Sequence, residues 1–335
     1  MKYKIFLLIL LILLSIFKIA SSEDLNLYSA RQEVLMRDLI SYFEKKTNIK
    51  VNIISAKANQ LMEKIELEGR YTKADILLTV DVARLLEAKN KKLFKAVESN
   101  ILKESIPREY RDKDNKWFGL SLRSRIFIYH KGRVSPKELK GYLSLMDKNW
   151  KSRILVRSSN NVYNQSLVSA MISNYGIDVT KKFLIGFRNN FARDPSGGDR
   201  DQIRAVISGE GDLALVNSYY YLKMKKNDKE NKLKDLRLHF PGDDKMKTHM
   251  NISGAGIIKY SKNYDNAVKF LEFLVTKEAQ KIYADINLEY PIIDNLELSR
   301  FMSNYVYFDK DDLNLNKIAN LNKEALLLMG ETGWQ

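Results

Sequence analysis

Tyrosine is the residue type on which chemistry turns in this sequence, and among its 18 tyrosines three are placed to act together. The apolar run Leu213-Ala214-Leu215-Val216 passes through Asn217 into Ser218-Tyr219-Tyr220-Tyr221. These rings sit where a strand ends, and open α/β sheets bind ligands in the crevice outside the carboxyl ends of their strands. Tyr163 stands in Ser158-Ser159-Asn160-Asn161-Val162-Tyr163, at the start of a long helical segment. A Ser or Asn cap there leaves free N–H groups and a partial positive charge that favours an anion. Any one tyrosine is ordinarily a core-edge residue, ring inside and hydroxyl at the water. A run of three fits that account less well, because strand side chains alternate between faces and at least one ring must then face the cleft.

Phenolate is a hard oxygen donor suited to a hard, highly charged cation such as Fe3+, and tyrosine is known as an iron ligand in catalase haem. With an ordinary pKa of about 10, it binds only where a cation displaces its proton, so affinity falls as pH drops. Three phenolates neutralise a trivalent ion yet leave coordination positions open to an exogenous anion such as carbonate. Arg123, in Leu120-Ser121-Leu122-Arg123-Ser124-Arg125, offers that anion a planar guanidinium fork. The alternative for Arg123 is a salt-bridged surface arginine.

The elements that must position these residues alternate strand and helix, the pattern of an α/β protein with mostly parallel sheets. Strands are expected over 25–28, 51–55 and 75–80, with helices over 32–46, 59–68 and 83–89 between and after them. From Trp117 the texture changes to strands over 118–122 and 126–130, and the chain is expected to cross into a second lobe here. That lobe holds a strand over 153–156, helices over 163–175, 180–187 and 199–208, and the strand over 213–216. A return strand over 251–258 leads to amphipathic helices from Asn263, the second capped by Thr276. A chain that leaves a lobe and returns to it makes a hinged binder. The expected division is 23–122 with 252–300 in one lobe and 123–251 in the other, the packing of 301–335 being unassigned.

Lys2 and Lys4 precede an apolar run over 5–17 that ends at Ala20, Ser21 and Ser22, which is a secretory signal peptide over 1–22 rather than a spanning helix of about 20 apolar residues. Without cysteine the chain carries neither a lipid anchor nor disulfides, and its length is enough for burial alone to stabilise it. With three histidines, His130, His239 and His249, a His-rich zinc site is set aside. The formal charge of +15 raises the question of nucleic acid, but the lysines are scattered, no recognition motif is present and the expected compartment is wrong. A solvated lysine-rich surface accounts for the charge.

The chain resembles the ferric-iron-binding periplasmic proteins of bacterial ABC importers along essentially its whole mature length. The resemblance is carried by Leu27-Tyr28-Ser29-Ala30-Arg31-Gln32, by Ala74-Asp75-Ile76-Leu77-Leu78-Thr79-Val80-Asp81 and by Trp117-Phe118-Gly119-Leu120 with Arg123. It continues through Arg157-Ser158-Ser159-Asn160-Asn161-Val162-Tyr163-Asn164, Gly197-Gly198-Asp199, Asn217-Ser218-Tyr219-Tyr220-Tyr221, Asn251-Ile252-Ser253-Gly254 and Glu289-Tyr290-Pro291. It implies a two-lobed type 2 periplasmic-binding fold, transferrin-lobe-like, that closes on Fe3+ and hands it to an inner-membrane ABC permease. By position, Tyr163, Tyr219 and Tyr220 match the family's iron-ligating tyrosines, and Arg123 matches an arginine beside the iron or its anion. Many members have His-Tyr where this chain has Gln32-Glu33, so it is similar to the branch that relies on three tyrosines and an anion. Gln32, Glu33 and Tyr28 are expected beside that anion or behind the ligands.

The resemblance implies a periplasmic carrier and not an enzyme, and a monomer is the default for a shuttling carrier. A carrier of an organic anion or polyamine on the same fold is the rival within the binding class. A secreted hydrolase is the rival outside it, opposed by the lack of Gly-x-Ser-x-Gly and of a convincing serine partner for the histidines.

Overall fold

The computed structural model describes residues 24–312 and 315–335; the expected signal peptide over 1–22 lies outside them. The N-terminal segment folds as a β-α-β unit. Strand β1 (Leu25–Ser29) leads through a tight helical turn, Glu33–Leu35, into the helix Arg37–Thr47, which buries Leu39 and Phe43 four residues apart on one face. Asn48 ends that helix in the left-handed conformation, which Asn tolerates, and β2 (Val51–Ser55) returns parallel to β1. The helix Ala58–Glu68 and β3 (Ile76–Thr79) follow, β3 pairing parallel to the other edge of β1.

One 13-residue strand, β4 (Phe118–His130), then joins the two halves of the molecule. Its first half pairs antiparallel with β8 (Met250–Ile257) and β9 (Tyr290–Pro291), and through β8 belongs to the N-terminal sheet. From Arg125 it pairs instead with β6 (Leu213–Asn217) and β7 (Leu236–His239), and β6 pairs parallel with β5 (Ile154–Leu155). Two separate strands were expected here; the one strand changes partners between Ser124 and Arg125 without a break. Three of the eight pairings are parallel and five antiparallel, so the mostly parallel expectation holds only for the β-α-β units. β4 and β8 run antiparallel to each other where the halves meet. The architecture is α/β with two lobes flanking this crossing. At the bulge after Gly119 a side chain would not fit, because a Cβ on Gly254 would lie 2.6 Å from the Phe118 carbonyl oxygen.

The C-terminal tail packs on the second lobe. The helix Asn322–Glu331 lies against the helix Val162–Tyr175, and Trp334 meets Phe187 and Phe191 edge-on at 5.3 and 5.8 Å. The helix Leu315–Asn320 touches both the helix Val82–Asn90 and the helix Val162–Tyr175, and so contacts both lobes. No helix among the described residues is long and apolar enough to cross a membrane.

Candidate metal centre

Between the lobes lies a cavity of about 740 Å3. Tyr163, Tyr219, Tyr220 and Arg123 all line it. Tyr163 occupies the first turn of the helix Val162–Tyr175, where Asn161 caps the helix by accepting from the Tyr163 N–H at 3.2 Å. Tyr219 and Tyr220 stand in the first turn of the helix Ser218–Lys226, which begins at once after β6. The strand therefore does not continue through the Tyr-Tyr-Tyr run. Helical rotation, not strand alternation, separates the rings: Tyr219 and Tyr220 face the cavity with centroids 4.1 Å apart, while the Tyr221 hydroxyl turns to the Leu236 carbonyl oxygen.

The three rings are nearly closed off from solvent, at 9, 4 and 7% exposure for Tyr163, Tyr219 and Tyr220. Burial is the main reason that the Tyr219 phenol is held well above its ordinary pKa, with Tyr163 and Tyr220 adding to it and Arg123 acting the other way. Tyr220 is pushed up to about 12, first by burial and then by Tyr163 and Asp199. Without a cation the pair is thus protonated at neutral pH, and a cation has to replace those protons.

Arg123 and Arg125 are two residues apart on extended β4 and therefore share a face. The Arg123 guanidinium packs over the Tyr163 ring, its central carbon 5.1 Å from the centroid. Its fork is turned inward: Nη1 donates to Ser253 Oγ at 2.9 Å and Nη2 to the Val80 carbonyl oxygen. Arg31 donates in bidentate fashion to Glu289, at 3.0 and 2.7 Å, within the same cavity wall. Burial alone would raise the Glu289 carboxyl, but Arg31 and Arg123 outweigh it and hold the group below the usual carboxylate range.

Of the other expected residues, Gln32 lines the cavity and Glu33 does not. Glu33 is exposed in the first turn after β1, where an acid suits a helical start. Tyr28 is a correction: its ring is in the core, and its phenol is raised first by burial and then by the neighbouring Glu68. Like the other residues of β1 it is absent from the cavity wall, and its phenol instead neighbours Glu68 and Lys64 of the helix Ala58–Glu68.

Sequence reasoning did not single out Arg31, Glu289, Arg157 or Gln165 as wall residues. Arg31 and Glu289 are 258 positions apart, and their pairing leaves no local signal. Gln165 is 4% exposed; its Nε2 donates to the Ser159 carbonyl oxygen at 3.0 Å, and its Oε1 has no partner among the described residues. Among the described residues the wall carries five cationic side chains, Arg31, Lys57, Arg84, Arg123 and Arg157, and one carboxylate, Glu289. It carries no histidine, and no group of three His, Asp or Glu side chains converges anywhere among the described residues. The donors available to a metal here are phenols, and the surrounding positive charge favours their ionised form together with an accompanying anion.

Three comparisons bear on this arrangement. An iron uptake protein A1 of Synechocystis sp. is 40% identical over 316 residues, covering 93% of this chain and 88% of that protein. The ferric binding protein from Campylobacter jejuni superposes with a TM-score of 0.88 at 40% identity, over 93% of this chain and 100% of that one. A Trichodesmium protein solved with iron and citrate ligands superposes with a TM-score of 0.86 at 38% identity, over 93% and 100%. These are two-lobed type 2 solute-binding structures, and this chain shares their fold. The model for bacterial extracellular solute-binding proteins matches residues 26–281, and the chain belongs to that family.

Proposed function

We propose that this protein is the periplasmic solute-binding subunit of an ABC iron importer, that it captures Fe3+ with the phenolates of Tyr163, Tyr219 and Tyr220, and that it performs no turnover. The observation that carries this reading is the convergence of three nearly buried phenols on one cavity with no competing histidine in its wall. The relatives named for iron uptake and ferric binding support the cargo. An anion such as carbonate completes the coordination sphere, drawn by the cationic wall. Arg123 serves the phenolates by lying over Tyr163 and opposing the rise in the Tyr219 pKa.

The lobes, one formed by 24–122 with 252–300 and the other by 123–251, close over the ion by bending where β4 changes partners, as hinged binders do. The expected export signal and membership of the extracellular solute-binding family support release into the periplasm, where the protein acts as a monomer and a membrane permease receives the metal. The test is equilibrium loading with ferric nitrilotriacetate, followed by desalting and metal analysis. One retained iron per chain is expected; a desalted protein without iron overturns the reading.

A further inference from the structure

Arg125 does not line the cavity, yet it touches the elements that bear every phenol there. Its side chain is 2% exposed. Nη2 donates to Asn164 Oδ1 at 2.5 Å, and Asn164 is the neighbour of Tyr163. Nη1 donates to Asn217 Oδ1 at 3.3 Å, and Asn217 immediately precedes the helix that carries Tyr219 and Tyr220. Nη1 also meets Asp199 Oδ1 at 2.8 Å, the oxygen that accepts from the Asn217 N–H at 2.9 Å. The other oxygen of Asp199 accepts from Arg157 at 2.6 Å, and the Asn164 amide donates to the Arg157 and Ser158 carbonyl oxygens.

The helices Val162–Tyr175 and Ser218–Lys226 are not extensively packed on each other, so their relative placement depends on what joins their starts. Arg125 is opposite Asn217 in the β4–β6 register, which fixes the origin of its side chain, and a planar fork reaches acceptors in two directions at set angles. We propose that Arg125 is the positioning residue of the site: it sets the separation between the Tyr163 phenol and the Tyr219–Tyr220 pair. This rests on the iron reading above. A lysine at this position retains the charge but presents it as a point and loses the fork.

The test uses the mature protein titrated with ferric nitrilotriacetate, read by affinity and by the visible phenolate-to-iron band. Arg125→Lys and Asn164→Ala are compared with Arg133→Lys, which weakens the Arg133–Asp212 pair (2.6 Å) just beyond the far end of β4. Affinity is expected to fall about 10- to 100-fold in the first two, as for partners that orient metal ligands, and the band maximum to move. Arg133→Lys lowers only the melting temperature. Binding within about twofold of wild type and an unmoved band in a folded Arg125→Lys would overturn the inference. An equal band shift in Arg133→Lys would do the same, by assigning the effect to lobe stability. If Arg125→Lys does not fold, Asn164→Ala alone decides. A wild type that gives no band overturns the iron reading and this inference together, whereas a coloured wild type with unaffected variants overturns this inference alone.

Discussion

The Arg123 guanidinium lies face-on over the Tyr163 ring, 5.1 Å from its centre, while its fork is occupied by Ser253 and the Val80 carbonyl oxygen. A side chain held in this way stabilises a phenolate by its charge more than it clamps an anion. Arg123→Ala is therefore expected to weaken iron retention less than Tyr219→Phe or Tyr220→Phe, which delete donors. Competition with a soluble chelator measures the order; equal losses in the three variants would make Arg123 an obligatory part of the coordination sphere.

Loading should release protons. Tyr219 and Tyr220 are raised by burial, Tyr220 to about 12, so each phenol that ligates at neutral pH gives up a proton, and affinity falls as pH drops. On addition of ferric nitrilotriacetate to a weakly buffered solution, Tyr220→Phe is expected to release one proton fewer per bound iron than the wild type, and an equal release would contradict ligation by Tyr220. In the iron-free protein the sign for stability follows from the same shift. The contribution of a raised phenol is fully present below its unfolded value of about 10 and is lost as pH rises through the folded one.

His249 contributes to the acid limb. It is buried, its Nε2 is 3.0 Å from Ser166 Oγ, and burial first, then Arg125, lowers its pKa from 6.5 to about 3. A depressed histidine contributes stability above its unfolded pKa and loses it as pH falls through the folded one. Of this contribution, on the order of 3 kcal/mol is lost between neutral pH and pH 4, and the remainder only as pH falls through about 3. Denaturant melts at pH 7 and pH 4 should show His249→Gln with a smaller acid loss than wild type; parallel losses in the two proteins would remove the histidine from the explanation.

Trp334 ties the tail to the site. Its ring is buried against Phe187 and Phe191, and its Nε1 donates to the Arg157 carbonyl oxygen at 2.9 Å, at the base of the loop that leads to Tyr163. Trp334→Ala is expected to cost about 3–5 kcal/mol in chemical denaturation. A loss under about 1 kcal/mol would mean that the tail is merely apposed.

The sequence carried most of the scaffold because its elements are locally determined. The strand Val51–Ser55 and the helix Asp199–Ser208 have the bounds expected from periodicity, and Thr276 caps the helix Lys277–Lys281 as anticipated. The three phenols were legible from a run of tyrosines at a strand end and a capped helix start, although the strand argument for the run was wrong in mechanism. A helix begins at Ser218, and its rotation selects Tyr219 and Tyr220 while sending Tyr221 into the core. What sequence could not show were contacts between distant positions: Arg31 with Glu289, Arg125 with Asn164 and Asn217, and Trp334 with Arg157. Tyr28 misled for the opposite reason, since Ala30, Arg31 and Gln32 of its motif line the cavity only after β1 has ended, while its own ring stays in the core beside Glu68.

Visible absorption during titration of the iron-free protein with ferric nitrilotriacetate, with and without bicarbonate, tests the central claim most directly. A phenolate-to-iron band that saturates at one iron per chain, and weakens in each of Tyr163→Phe, Tyr219→Phe and Tyr220→Phe, is the predicted result. Tight iron uptake without a visible band, or a band unchanged in all three variants, would contradict tyrosinate capture in this cavity.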